Sequence, residues 1–427
     1  MSEPMPSVKG WCPGALRPMR SGDGLVVRLR LGAGVLTARK ARIIADLGRR
    51  YGNGQIDLTQ RANLQLRGVS DQAWPVLIGE LSSHGLVDAD AEVEAVNNIV
   101  VGPLAGLDPR AQVDGRAVAV ILADRIAVDP LFRALPGKFG FAVDDGGALS
   151  LDDVGADVWL VGCDGGLDVE VRHGDGFARL ARVRPEAAGD AAARIAAAFL
   201  DRRGADAEQA GRMRQLVARI GAAAVARQAG FDPNAVVTRP SRPVANVIGR
   251  LDLGGSAAVG LGIPFGRLTA ATLGALADAA ERAGTSELRL TPWRAVVIPG
   301  VATDRAEALL ADLARAGCIV SPDDPRLAVV ACPGAPDCDS AAGAVREDAL
   351  ALAEVAARMA GEGVRLHVSG CAKGCARPGA TAATLVRRFS GYDLVVNGRA
   401  EDDPVSTGLS ADDIEGALRR HGLIEGH

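Results

Sequence analysis

Residues 37–68 read TARKARIIADLGRRYGNGQIDLTQRANLQLRG, and residues 269–300 read TAATLGALADAAERAGTSELRLTPWRAVVIPG. At an offset of 232 the two stretches repeat each other without a gap. Thr37 meets Thr269, Asp46 meets Asp278, Gly52 meets Gly284, Thr59 meets Thr291 and Gly68 meets Gly300. The register continues outward, pairing Leu77 with Leu309, Leu81 with Leu313 and Gly85 with Gly317. Glycines, threonines and leucines matched at a single offset mark an internal duplication.

Each copy reads as the same series of elements. A strand is predicted over 25–31 and again over 257–263. The helix that follows has Thr37 or Thr269 as its cap, because a threonine hydroxyl can accept an orphan N–H of the first turn, and Gly52 or Gly284 ends it. Two short strands come next, at 55–58 and 63–67 in one copy and 287–290 and 295–298 in the other. A second helix, 72–84 or 304–316, closes the unit. Strand, helix, two strands and helix form the split ferredoxin-like arrangement.

Between the copies the pattern predicts strands near 116–123 and 157–161, a hairpin over 169–180, and Ala-rich helices over 187–199 and 209–228. Thr238-Arg239-Pro240-Ser241-Arg242-Pro243 has two prolines and no apolar periodicity, and reads as a linker. Beyond the second copy, strands are predicted at 327–331, 364–368 and 392–396, with a helix over 340–360. The expected division is 1–88, 89–237, 238–321 and 322–427: two ferredoxin-like half-domains, each followed by an α/β domain, in an α+β chain.

Composition narrows the function. With 427 residues and 48% apolar content the chain can build several cores, about three by a prior of about 150 residues per domain. A net charge of −4 supplies no field for gathering nucleic acid, and 8 Phe, 4 Trp and 2 Tyr leave few platforms for stacking bases. No apolar run approaches the ~20 residues needed to span a bilayer. The N-terminus, MSEPMPSVKG, has no apolar stretch behind a basic start, which predicts a cytoplasmic protein without a secretory signal.

Seven cysteines, an odd number, argue in a reducing compartment for metal ligation or buried thiols rather than disulfides. Four crowd the last quarter, as Cys332-Pro-Gly-Ala-Pro-Asp-Cys338 and Ser-Gly-Cys371-Ala-Lys-Gly-Cys375, each after a predicted strand. Zinc prefers pairs two to four residues apart; five residues between Cys332 and Cys338 suit the wider perimeter of an iron-sulfur cluster. Cys12, Cys163 and Cys318 read as buried small hydrophobes.

The Cys-x5-Cys and Cys-x3-Cys pairs, behind a duplicated ferredoxin-like unit with Thr-Gln-Arg61 and Thr-Pro-Trp-Arg294 between its middle strands, resemble the siroheme sulfite and nitrite reductases over nearly the whole chain. The resemblance implies that Cys332, Cys338, Cys371 and Cys375 hold a 4Fe-4S cluster and that Arg61 and Lys138 stand where the family binds its oxyanion. Two family cations are missing. A second lysine position is Gly140 in Leu-Pro-Gly-Lys138-Phe-Gly140, and the Arg of an Arg-Asn pair is Asn97 in Val-Asn97-Asn98-Ile. Losing two cations undermines six-electron reduction of a small dianion.

The strings Cys12-Pro-Gly-Ala-Leu-Arg17, Asn98-Ile-Val-Val-Gly-Pro-Leu-Ala-Gly106 and Ser369-Gly-Cys-Ala-Lys373-Gly-Cys375 are similar to the cobalamin-pathway branch of this superfamily. That branch implies a tetrapyrrole as substrate: precorrin-3A is hydroxylated with dioxygen, and a γ-lactone closes. It also implies electrons from NADH through a separate reductase, and a mononuclear non-haem iron beside the cluster. A tetrapyrrole bears many carboxylates, for which arginine is suited; Arg61, Lys138, Arg294, Arg17 and Lys373 are the expected substrate contacts, with Arg20, Arg67 and Arg377 nearby. Ligands of the single iron and a catalytic acid or base are not named by the sequence: His173-Gly-Asp175 has a ligand-pair spacing but reads better as a hairpin turn. The alternatives are a siroheme-bearing sulfite or nitrite reductase and a non-enzymatic tetrapyrrole or electron carrier.

Overall fold

The computed structural model describes residues 12–203, 211–243 and 246–425. Four sheets are present among them. The first runs Met19–Ser21, Gly24–Leu29, Leu64–Val69, Gln55–Leu58 and then Arg267–Thr269, a strand supplied by the other copy of the repeat. Its counterpart runs Gly249–Asp252, Ala257–Gly262, Ala295–Val301, Glu287–Leu290 and ends on Val35–Thr37. Each half-domain therefore lends the other an antiparallel edge strand, Leu268 pairing with Ile56 and Leu36 with Leu288. The exchange closes an edge that would otherwise offer unpaired backbone groups.

Local chemistry explains where the exchanged strands stop. Thr37 Oγ1 accepts the Lys40 N–H and Thr269 Oγ1 accepts the Thr272 N–H, capping the helices Ala38–Tyr51 and Ala270–Arg282. The turns before the strands repeat even in their strained residue, Ala33 and Phe265 both standing at φ 53°. The two helices pack together, and Ile44, Leu66, Leu276 and Ile298 belong to one buried cluster that runs through both half-domains.

The duplication extends to the α/β regions. Ile99–Val101, Phe141–Asp144 and Val158–Cys163 are parallel, followed by antiparallel Gly166–His173 and Gly176–Val183. Val329–Ala331, Leu366–Ser369 and Thr381–Arg388 repeat the parallel order, followed by antiparallel Gly391–Gly398 and Ser406–Leu409. No helix among the described residues is long and apolar enough to cross a membrane.

Several expected elements differ. Residues 116–123 are not a strand but part of the helix Gly115–Val128, capped by Asp114 Oδ1 accepting the Arg116 and Ala117 N–H groups. The expected helix 340–360 starts only at Arg346 and breaks into Arg346–Ala351 and Ala353–Ala357. The residues before it wrap the cysteine loops instead, the Gly343 carbonyl accepting from Ala335 and the Ala342 N–H donating to Gly370. The expected helix 209–228 is interrupted at Gly221, φ 82°, and its first two residues lie outside the described ones, as does His427. The 238–243 segment is no free linker. Val237–Arg239 pairs with Phe177–Arg179 as an edge strand, and Arg239 and Arg242 bind the buried Asp152.

Candidate active site

Val329–Ala331 and Leu366–Ser369 are neighbouring parallel strands, with Ala331 beside Val368, so their loops leave the sheet side by side. Cys332 and Cys338 sit on the first loop, Cys371 and Cys375 on the second. Cys332 is buried, and its Sγ accepts the Gly370 N–H at 3.1 Å. A Cβ on Gly370 would lie 2.8 Å from the Ala341 Cβ and 3.3 Å from that sulfur, so only glycine lets the loops approach this closely. Burial pushes the Cys375 thiol up to about 11; Lys373 opposes the rise, and Cys371, Cys332 and Cys338 add to it. Every thiol of the set thus lies within electrostatic reach of Cys375. Among the described residues no three His, Cys, Asp or Glu side chains close on one point as a single ion requires. Cysteine pairs on two loops that leave the sheet side by side, without the tight grouping one zinc ion needs, suit the wider perimeter of a cluster.

The first loop is held from outside its own domain. Arg267, on the exchanged strand, bonds Asp337 Oδ2 at 2.7 Å and grips Asp57 with Nε at 2.5 Å and Nη2 at 3.1 Å. The Asp337 carbonyl accepts from Ser21 Oγ and Arg67 Nη2, both at 2.6 Å. Gly22 completes the notch, since a Cβ there would stand 2.2 Å from the Pro336 oxygen.

Above the loops lies a cavity of about 480 Å³. Arg61, Lys138 and Arg294 line it together, along with Cys332 and Cys375. Arg17 lines an adjoining cavity of about 460 Å³ with Cys12 and Arg30, and Arg377 lines one of about 560 Å³ that shares Gln60, Arg294 and Ala376 with the first. Lys373 is exposed within the second cysteine loop. Two expected contacts lie elsewhere: Arg20 pairs with Asp71 on the surface, and Arg67 is buried against Asp23. Of the three cysteines expected in cores, Cys318 is buried, Cys163 is half-buried at a strand end, and Cys12 lines the cleft.

Sequence reasoning missed Arg28, Arg30 and Arg346. Burial pushes Arg28 down to about 10, helped by Arg30 and Arg61, and burial pushes Arg346 to about 10 as well. Arg30, Arg61 and Arg294 are lowered too, burial again the largest cause. Arg61 Nη2 donates to the Lys138 carbonyl at 2.8 Å, but its Nη1 is buried without a partner, as are Arg30 Nε and Nη2 and Arg346 Nε and Nη1. Among the described residues Asp57 is the one carboxylate lining the 480 Å³ cavity, and Arg267 already holds it. Guanidiniums around one cleft that keep buried nitrogens without a partner among the described residues suit a ligand with several carboxylates. The signal that could have found Arg28 and Arg30 is the repeat itself, where they correspond to Gly260 and Gly262 just as Arg61 and Gln65 correspond to Trp293 and Val297; Arg346 has no such signal.

Among the described residues the donor set does not fit a single protein-held iron. His173 and Asp175 flank Gly174 in the Gly166–His173 to Gly176–Val183 hairpin turn, His84 is exposed, and His421 bonds Ser406. His367 is fully buried with both ring nitrogens unpartnered.

The nitrite/sulfite reductase ferredoxin-like half domain matches residues 17–84 and 250–316. A precorrin-3B synthase from Sinorhizobium sp is 32% identical across 93% of this chain and 84% of its own length. A ferredoxin–nitrite reductase from Synechococcus elongatus is 27% identical across 95% of this chain and 86% of its own. The Mycobacterium tuberculosis NirA structure superposes with a TM-score of 0.73 at 21% identity, covering 93% of this chain and 80% of that one.

Proposed function

The chain belongs to the precorrin-3B synthase family, within the nitrite/sulfite reductase superfamily, and from that premise we propose that it hydroxylates precorrin-3A with dioxygen and closes a γ-lactone in cobalamin biosynthesis. The hydroxyl enters at the carbon bridging rings A and D, and the ring A acetate forms the lactone. One oxygen atom enters the product; the other leaves as water, with two electrons drawn from NADH through a separate reductase. The proposed place of action is the cytoplasm, and the proposed domains are 1–88, 89–237, 238–321 and 322–427.

The observation that carries this reading is the cleft in which Arg61 and Arg346 keep buried nitrogens without a partner among the described residues, beside Cys332 and Cys375 of the two cysteine loops. Cys332, Cys338, Cys371 and Cys375 would hold a 4Fe-4S cluster, which supplies single-electron transfer when bound. Arg61 and Arg294 would grip peripheral carboxylates, with Lys138, Arg17 and Lys373 as further cations. Arg294 is fixed for this by its Nη2 bond to the Ala376 carbonyl at 3.0 Å, which ties it to the second cysteine loop. No step is assigned to a mononuclear iron, since the described residues supply no ligand trio for one.

The siroheme reductase reading is disfavoured at Gly140. That residue is buried, its N–H donates to Asp157 Oδ2, and a Cβ would lie 3.3 Å from the Asn98 carbonyl oxygen. A lysine there needs the neighbouring backbone to give way.

Turnover of precorrin-3A by anaerobically purified protein should stop without oxygen, and label from 18O2 should appear in the product hydroxyl. Label arriving only from water would refute the hydroxylation. The same preparation should contain iron and acid-labile sulfide with broad visible absorption and no haem band; a siroheme spectrum would favour the reductase.

A further inference from the structure

Arg346 opens the helix Arg346–Ala351, directly behind the first cysteine loop. Its side chain is 17% exposed and lines the cavity with Cys332, Pro333 and Cys375. The nearest carboxylate, Asp57 at 3.6 Å, is already gripped by Arg267 and is shared with Arg67 at 3.8 Å. Arg346 Nε and Nη1 are buried with no partner. A guanidinium this little compensated, in low dielectric beside Cys332, is a standing positive potential at one corner of the cysteine set.

We propose that Arg346 is a positioning residue for charge, holding the reduction potential of the cluster up by stabilising its reduced form. The inference rests on the cluster reading above. Reduction adds one electron and one unit of negative charge to a group already ligated by four thiolates, and no bond forms or breaks. A nearby buried cation favours the more negative state, and the surrounding charge is among the factors that set such potentials. Lys373, also near these thiols, is exposed, where solvent and salt screen it. Arg61, Lys138 and Arg294 remain to meet the substrate.

The test is a dithionite titration with redox mediators, followed by electron paramagnetic resonance, on the full-length protein and on R346Q, R346K and D57N, with iron and sulfide measured in the same samples. R346Q should retain iron and sulfide yet show about a tenfold smaller reduced-to-oxidised ratio at the wild-type midpoint, equivalent to about 59 mV for a one-electron couple. R346K should remain closer to wild type. D57N, which removes the neighbouring negative charge, should shift the other way, and this sign holds the inference open to refutation even if R346Q fails to take up iron. Unchanged potentials in R346Q or D57N would overturn it, as would a weakened precorrin affinity in R346Q at an unaltered potential, which would make Arg346 a substrate anchor. Wild-type protein prepared without oxygen yet lacking iron and sulfide would instead remove the cluster reading on which it rests.

Discussion

Replacing Arg267 by alanine should cost both stability and cluster content, because one guanidinium joins three parts of the molecule. It sits on the strand that the second copy lends to the first, it grips Asp57 with two nitrogens, and it bonds Asp337 inside the cysteine loop. Arg267, Asp57 and Asp337 side chains are 15%, 12% and 17% exposed. Removing one partner of a buried pair costs about 3–5 kcal/mol, since the remaining charge is left uncompensated. Arg346 at 3.6 Å and Arg67 at 3.8 Å remain beside Asp57, so the lower end, about 3 kcal/mol, is expected. Burial by itself would raise the Asp57 carboxyl, but the Arg267 bonds outweigh it and hold the group below its ordinary 3.8. That contribution is present above 3.8 and fades as pH falls through the native value, so the gap between wild type and variant should narrow in acid.

Urea denaturation with linear extrapolation measures the loss, and iron and sulfide assays measure the freed loop. Arg42→Ala is the control. Arg42 also spans the two copies, reaching Asp278 and Glu281, but on the exposed face, where ion pairs contribute little. The reasoning fails if Arg267→Ala loses less than about 1 kcal/mol and keeps its full sulfide content.

Cys371→Ser and Cys375→Ser should each lose or convert the cluster, while Cys163→Ser retains it; equal iron and sulfide in all three would reject the ligand set. Arg61→Lys keeps the charge but not the fork whose second limb is free, so a tetrapyrrole titration should show binding weaker by about 1.5–3 kcal/mol. Gly22→Ala would press a Cβ against the Pro336 carbonyl and should reduce sulfide content; normal loading would show that the notch is pliable. Burial, opposed by the Gly147 N–H and aided by Asp144 and Asp108, pushes Asp145 up to about 6. The native state then holds an extra proton between 3.8 and 6, and the penalty is absent below 3.8 and complete above 6. Asp145→Asn should therefore be more stable than wild type at pH 8, by up to about 3 kcal/mol, with the gain shrinking towards pH 4 in urea melts.

The repeat was legible because it is written in caps and turns: Thr37 and Thr269, Gly68 and Gly300 do the same local job twice. The exchange of edge strands was not, because Val35–Thr37 and Arg267–Thr269 are three residues each and their pairing spans more than two hundred residues. Residues 116–123 misled for a different reason. Arg-Ala-Val-Ala-Val-Ile-Leu-Ala is a short apolar run, which periodicity alone does not assign to strand or helix; the Asp114 cap decides it. The cysteine pairs stand out in the sequence by their spacing, yet Arg346 and Arg267 carry no motif. They matter through the company into which tertiary structure brings them.

That company also explains why, among the described residues, the arginine-lined face belongs to the first copy of the repeat. In the first copy Arg28, Arg61 and Gln65 face the cavity. At the matching positions of the second, Trp293 and Val297 pack with Leu104, Leu149 and Ile319 into an apolar cluster. Gly260 replaces Arg28 there, and a Cβ on it would stand only 1.6 Å from the Val247 carbonyl oxygen, so the backbone of 247–248 occupies the place of the side chain. The cysteines follow the same logic. Gly102 donates its N–H to the Val143 carbonyl as Cys332 donates to that of Val368, so glycine stands at the position that matches Cys332. A site built by duplication is thus recognised by where the copies disagree in charge, volume and thiols, while the positions where they agree, the capping threonines and turn glycines, report only the fold they share.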